Sequence, residues 1–207
     1  MNRKEILSAL KNKPALSVLI VGGGINGIGT FRDLALNGVD VLLVERGDFC
    51  SGASAASSHM AHGRFSDLED GELRLVREAV RERNLLLQNA PHIVKPLPTA
   101  IPTFRRFSGL LNLPLKFFGM LAEPAEHGSL VVKLGLRLYD RYTGSQRTVP
   151  KHRFFSRKNS LATWKYLSAK TINTAVYYDG AILQPERLAV ELVLDAEAEN
   201  PNARALN

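Results

Sequence analysis

The stretch VLIVGGGINGIG, residues 18–29, constrains this chain more than any other. An apolar, β-rich run stops in glycines and resumes at helical spacing. A Gly22-x-Gly24-x-x-Gly27 pattern between a strand and a helix is a cradle for a dinucleotide pyrophosphate. Gly22 permits the tight turn, Gly24 lets the backbone approach the phosphates, and Gly27 lets helix and strand pack closely. The amides of Ile25 and Asn26 are then expected to face the pyrophosphate at the positive end of the helix dipole.

The spacing that follows is that of a βαβ unit. Residues 17–21 read as a short apolar strand of the kind buried in a parallel sheet. Residues 25–37 read as a helix closed by Asn37-Gly38, and 39–44, VDVLLV, as a second buried strand. Glu45 ends that strand about 20 residues beyond the glycines, where a carboxylate accepts hydrogen bonds from ribose hydroxyls. It also opposes a 2′-phosphate: like charges about 4 Å apart cost about 1 kcal/mol in water and about 4 kcal/mol at an effective dielectric of 20. Arg46 beside it softens that repulsion, but Glu45 holds the motif position. NADP is disfavoured, and NAD and FAD stay open.

The remaining chain is ordinary in bulk and uneven in charge. Its 207 residues allow one or two domains, and 45% hydrophobic with 23% charged residues is globular composition. The single cysteine, Cys50, excludes an internal disulfide and fits a reducing compartment. It reads as a small filler, not a nucleophile. The first 16 residues lack an apolar signal region. The longest uncharged stretch, 15–31, holds five glycines and is no bilayer span. Residues 104–158 carry eleven Lys and Arg against three Asp and Glu, so the net charge of +7 belongs to one segment. Such a stretch suits an anionic membrane surface, nucleic acid or simply a solvated helical face.

Further along, 71–91 reads as an amphipathic helix. Leu73, Val76, Val80 and Leu87 lie on one face, and Glu78 and Glu82 lie among Arg74, Arg77 and Arg81 on the other. Prolines make 92–102 extended. Helices are expected near 110–122 and 129–142, a basic loop over 139–160, a strand at 174–178, and a helix over 185–199. In that last helix Leu188, Leu192 and Leu194-Asp195 are placed near the buried edge. The chain ends where this pattern starts another strand, so the sheet is expected to be incomplete and the chain part of a longer one. No metal-ligand cluster, carboxylate pair or Ser-His-Asp set stands out. His92, His127 and His152 are scattered and read as structural or exposed.

The stretch ERGDFCSGASAASSHMAHG, 45–63, decides between the cofactors. With GGGINGIGTFRDLALNG, VERGDF, SSHMAHG, LVREAVRERNLLLQNAPHIVKPLP and YYDG, it resembles the FAD-dependent, respiratory glycerol-3-phosphate dehydrogenases over most of the chain. The family pattern after the acid is Asp-Phe, Gly-Thr-Ser, Ser-Ser, then His-Gly-Gly. Ser54, Ser57, Ser58, His62 and Gly63 match, and Ala53 replaces the threonine. Short hydroxyls and bare amides in such a loop suit the ribityl chain and ring edges of FAD. Read alone, the three serines are an ordinary cap or turn cluster.

The resemblance implies an α/β fold: an FAD-binding Rossmann-like domain of the glutathione-reductase type, incomplete, with an inserted mostly helical cap. The expected segments are a lead helix over 1–16, the first part of the FAD domain over 17–90, the insert over 91–170, and the return over 171–207. It implies hydride transfer from glycerol 3-phosphate, a phosphorylated polyol, to the flavin, giving dihydroxyacetone phosphate, with electrons passing to quinone. It implies a cytoplasmic location, peripheral on the inner face of the membrane through 104–158, and no nucleic-acid partner. One stretch departs. The family continues His-Gly-Gly-Leu-Arg-Tyr-Leu-Glu, and this chain reads HGRFSDLE, residues 62–69. Arg64 replaces the second glycine, and Ser66 and Asp67 replace the Arg-Tyr pair that serves the substrate phosphate. Arg64 is the candidate replacement ligand, because a guanidinium fork suits a phosphate. Asp67 opposes a dianion. A neutral or cationic substrate, or an inactive site, is the competing expectation.

Overall fold

The computed structural model describes residues 3–12, 14–68, 72–107, 128–143 and 148–207. The expected helix near 110–122 and His127 lie outside them. The chain forms two compact units, residues 1–59 with 183–207, and residues 60–182. These divisions differ from the expected ones at 90 and 170, because strand pairing ties 60–61 to 180–181 and so gathers everything between them.

The first unit is a parallel three-stranded sheet. It contains α1 (Arg3–Asn12), β1 (Val18–Val21), α2 (Ile25–Leu36), β2 (Val41–Val44), α6 (Pro185–Glu199) and β7 (Ala203–Leu206). Strand order is β1-β2-β7, with Val18 opposite Val41 and Val41 opposite Ala203. The expected further strand thus falls on the last residues, parallel to β2. Ile28, Phe31 and Ala35 of α2 pack with Ala189, Val193 and Ala196 of α6 over Val41, Leu43 and Ala203. Gly38 ends α2 at φ +74°, donating to the Ala35 carbonyl, a conformation glycine adopts without a Cβ penalty. The Asn200 amide donates to the carbonyls of Ala35 and Val39, tying the end of α6 to the end of α2.

Two expectations are corrected here. β1 is buried on one face only: Val18 and Ile20 pack under the helices, but Leu19 is 56% and Val21 79% exposed, because α2 and α6 share the opposite face. In α6, Leu188 is buried but Leu194 is exposed. Asp195 turns to the Arg32 guanidinium of α2 instead of the core. The helix rotates its small residues, Ala189 and Ala196, toward α2 so that the two axes come close.

The second unit is antiparallel. It holds β3 (Met60–Ala61), a 3-10 turn (Phe65–Leu68), α3 (Leu73–Asn89), β4 (Val94–Thr103), α4 (Ser129–Thr143), β5 (Arg153–Ser156), α5 (Arg157–Thr163) and β6 (Asn173–Ile182). β6 is central. β4 pairs along its whole length, from Val94 opposite Ile182 to Thr103 opposite Asn173. β3 and β5 pair with its other edge. Pro96, Pro98 and Pro102 share one parity of β4, so their missing N–H donors fall on one edge. That edge faces away from β6, since the Thr103 carbonyl, of the other parity, accepts from Ile172 beside β6. The segment expected to be mostly helical therefore contributes strands as well. The expected basic loop over 139–160 is corrected: it contains the end of α4, all of β5 and the start of α5. Phe154 packs against this unit's core, and the Ser156 hydroxyl caps α5 by accepting from Asn159 N–H. The core is Val76 and Val80 of α3, Val132, Leu136 and Tyr139 of α4, and Phe65, Ala175 and Tyr177.

Candidate cofactor cradle and a buried charge chain

In the first unit the glycine loop has the geometry its sequence demands. Gly22 lies at φ +114°, and a Cβ there would meet nothing within 4 Å, so the space before it is open. A Cβ on Gly27 would lie 2.0 Å from the Gly22 carbonyl oxygen, so the first turn of α2 packs directly on the loop backbone. A Cβ on Gly24 would come 3.2 Å from the Ser54 hydroxyl. Gly24 is the N-cap and supplies no side-chain cap to α2. The first amides of a helix have no partner within it. Asn26, in that first turn, is exposed.

Glu45 closes the cradle. One carboxylate oxygen accepts from Gly23 N–H at 2.7 Å and the other from Gly47 N–H at 2.8 Å. These bonds, that from Gly47 first and that from Gly23 second, hold its carboxyl below the usual range against a smaller opposing effect of burial. The acid is therefore ionised and aimed along the loop, with further lone pairs free to accept. Arg46 beside it is exposed. Ser54 is brought to the glycines: its hydroxyl accepts from Ile25 N–H at 2.9 Å, capping α2 from 29 residues away. The Ile25 amide, expected to face a pyrophosphate, is thus engaged by Ser54. Ser57 and Ser58 are exposed, and Ser57 accepts from His59 N–H. Cys50 is buried at φ +63°, its amide donating to the Gly23 carbonyl and its thiol pushed up by burial, as befits a filler.

The second unit carries His62, Gly63 and Arg64. Gly63 is buried, and a Cβ on it would overlap the Tyr139 hydroxyl at 1.7 Å, so only glycine fits. Its N–H donates to Asp179 at 3.0 Å. Arg64 adopts φ +55°, a left-handed backbone uncommon for a residue with a side chain. Its guanidinium donates to Asp67 and is half exposed. Ser66 also donates to Asp67. Arg64 and Asp67 therefore neutralise each other. His152 contacts Asp140 at 2.8 Å, a structural role, and His92 is exposed. Among the described residues no group of His, Cys, Asp and Glu is placed to hold a metal.

Sequence reasoning missed Arg83, Tyr139 and Asp179, which are fully buried together. The Arg83 guanidinium donates to the Tyr139 hydroxyl at 2.7 Å and to the Tyr178 carbonyl at 2.8 Å, and stands 3.8 Å from Asp179. Tyr139 donates to Asp179 at 2.9 Å. Burial first, and the Asp179 charge among other causes, push the hydroxyls of Tyr139 and Tyr177 up beyond their ordinary range. A signal existed. Val76, Val80, Arg83 and Leu87 share one helical stripe, and a charge on an apolar stripe implies a buried partner.

The family model for FAD dependent oxidoreductase matches residues 17–202. The glycerol-3-phosphate dehydrogenase of Synechocystis is 35% identical over 184 residues, 88% of this chain and 30% of that protein. The mitochondrial enzyme of Mus musculus is 32% identical, covering 86% of this chain and 23% of that one. The glycerol-3-phosphate dehydrogenase structure of Bacillus halodurans, complexed with FAD, matches at a TM-score of 0.59 and 21% identity, over 99% of this chain and 28% of that chain. Glycine oxidase of Geobacillus kaustophilus matches at a TM-score of 0.56 and 19% identity, over 91% of this chain and 45% of that chain. At these identities the structural matches speak for the fold. The chain spans less than a third of the length of these curated relatives. With its glycine cradle, its acid at the end of β2 and this match, the chain belongs to the FAD dependent oxidoreductase family.

Proposed function

We propose that this chain is the cofactor-binding part of an FAD-dependent glycerol-3-phosphate dehydrogenase, oxidising glycerol 3-phosphate to dihydroxyacetone phosphate with quinone as electron acceptor. The observation that carries the reading is the cradle itself: Gly22 open in front, Gly27 sealed behind, and Glu45 held at its edge. FAD fits such a donor set, and when bound it supplies a two-electron acceptor. Gly22, Gly24, Asn26 and Gly27 would hold the pyrophosphate with the N-terminus of α2, and Ile25 would support it through Ser54. Glu45 would accept from ribose hydroxyls, with Arg46 adjoining. Ser57 and Ser58 would serve the ribityl chain, and in the other unit His62 would serve a ligand through its exposed ring, the Gly63 amide being held by Asp179. Arg64 would meet the substrate phosphate once released from Asp67. The basic segment 104–158 would rest on an anionic leaflet of the cytoplasmic membrane, where quinone resides. Among the described residues no helix is long and apolar enough to cross a membrane.

The Arg64–Asp67 pair favours a second reading, a neutral hydroxy or amino substrate, because a dianion must displace a carboxylate already in place. An anaerobic visible spectrum separates the two. Flavin bands that bleach on adding glycerol 3-phosphate support the dehydrogenase. Bands that persist with it but bleach with an uncharged analogue support the second reading. A colourless protein, unchanged after incubation with FAD, overturns both.

A further inference from the structure

We infer that Asp179 is a positioning residue for His62, fixing the imidazole so that the proton sits on Nδ1 and Nε2 presents a bare lone pair outward. His62 Nδ1 lies 2.8 Å from Asp179 Oδ2, with the histidine side chain 51% exposed and the aspartate fully buried. The other oxygen, Oδ1, is already supplied by Gly63 N–H and the Tyr139 hydroxyl, with Arg83 behind them. Oδ2 is buried without an aligned hydrogen-bond donor; His62 Nδ1 faces it at 2.8 Å, with the Tyr177 hydroxyl also beside the carboxylate. A buried carboxylate oxygen left alone is costly. A ring nitrogen facing it is therefore held as N–H, and the hydrogen bond at one nitrogen decides the state of the other.

The backbone supports the same arrangement. Gly63 hangs from Asp179 and is wedged against Tyr139, where no other residue fits, so the chain at 62–63 is held beside the carboxylate. The charged and titratable groups around Asp179 are Arg83 and Tyr139, with Tyr177 facing it from β6. Arg83 faces the carboxylate at 3.8 Å, and both tyrosines stay protonated beside it. The outward Nε2 then accepts a hydrogen bond, or a proton, from an O–H or N–H group of a bound ligand. A carbinol hydroxyl or a flavin ring N–H is such a group. This rests on the reading of His62 as a site residue, and Asp179, never itself reaching the ligand, acts through the ring.

Nitrogen-15 NMR of the purified protein tests it, at a pH where the ring is neutral, with His62→Gln identifying the resonances. The expected result is a pyrrole-type signal for Nδ1 and a pyridine-type signal for Nε2. In Asp179→Asn the pattern should be lost or reversed, because the new amide can donate toward the ring. A wild-type His62 carrying its proton on Nε2 overturns the inference, and so does an Asp179→Asn protein that keeps it on Nδ1. If Asp179→Asn does not fold, the wild-type tautomer alone decides. No flavin is needed for this reading. A failed tautomer in a yellow protein sinks only this inference, and a colourless protein with the Nδ1 tautomer sinks only the cofactor assignment.

Discussion

Gly27 and Gly29 lie two residues apart on the same helix and differ in what a methyl would meet. A Cβ at Gly27 meets the Gly22 carbonyl at 2.0 Å, and one at Gly29 meets nothing within 4 Å. Gly27→Ala should therefore destabilise by about 1–3 kcal/mol, the usual cost of overpacking. Gly29→Ala should stabilise by about 0.4–1 kcal/mol, by restricting the unfolded chain and favouring helix. Urea midpoints measure both, and equal shifts would refute the cradle geometry. Glu45 makes a pH prediction. Its folded pKa lies below the ordinary 4.5, so its contribution is fully present above that value and is lost as pH falls through the folded one. Glu45→Gln should remove this acid-side loss from the pH dependence of the urea midpoint. The two buried tyrosines behave oppositely. Their folded pKa values are raised, so stability should fall as pH climbs above the ordinary value of 10. In an alkaline absorbance titration, Tyr139 and Tyr177 should ionise only with unfolding.

At the scale of elements, α3 stands on a charge. Its stripe buries Val76 and Val80 and then Arg83, whose guanidinium is spent on Tyr139, Tyr178 and Thr143 as well as Asp179. Arg83→Met keeps the volume but strands Asp179 and should cost about 3–5 kcal/mol. By comparison, Leu136→Ala in α4, a cavity in an apolar position, should cost about 2–5 kcal/mol. Urea midpoints measure both, and an Arg83→Met protein as stable as the wild type would refute the buried charge chain.

For the whole molecule, charge is the property to test. The surplus of +7 is concentrated in 104–158, and contact with an anionic surface depends on salt. Co-sedimentation with anionic vesicles should be strong at low salt, weak at high salt and absent with zwitterionic vesicles. Binding indifferent to vesicle charge would remove electrostatics from the membrane proposal.

Local patterns carried the βαβ unit, the glycine loop, Glu45 and the helices at 73–89 and 185–199, because each is set by spacing within a few residues. A period of 3.6 or an apolar run is a local statement, and so is a turn that glycine makes without strain at Gly38. What lies across the chain was not legible. Nothing local says that Ser54, 29 residues on, reaches back to cap Ile25. The exposed face of β1 is a tertiary outcome too, since apolar residues alone do not tell which face a helix will cover. Tertiary structure alone decided the chain from Arg83 through Tyr139 and Asp179 to His62. Those groups come from two helices, a strand and a loop, and a buried charge becomes tolerable only when its partners arrive from elsewhere.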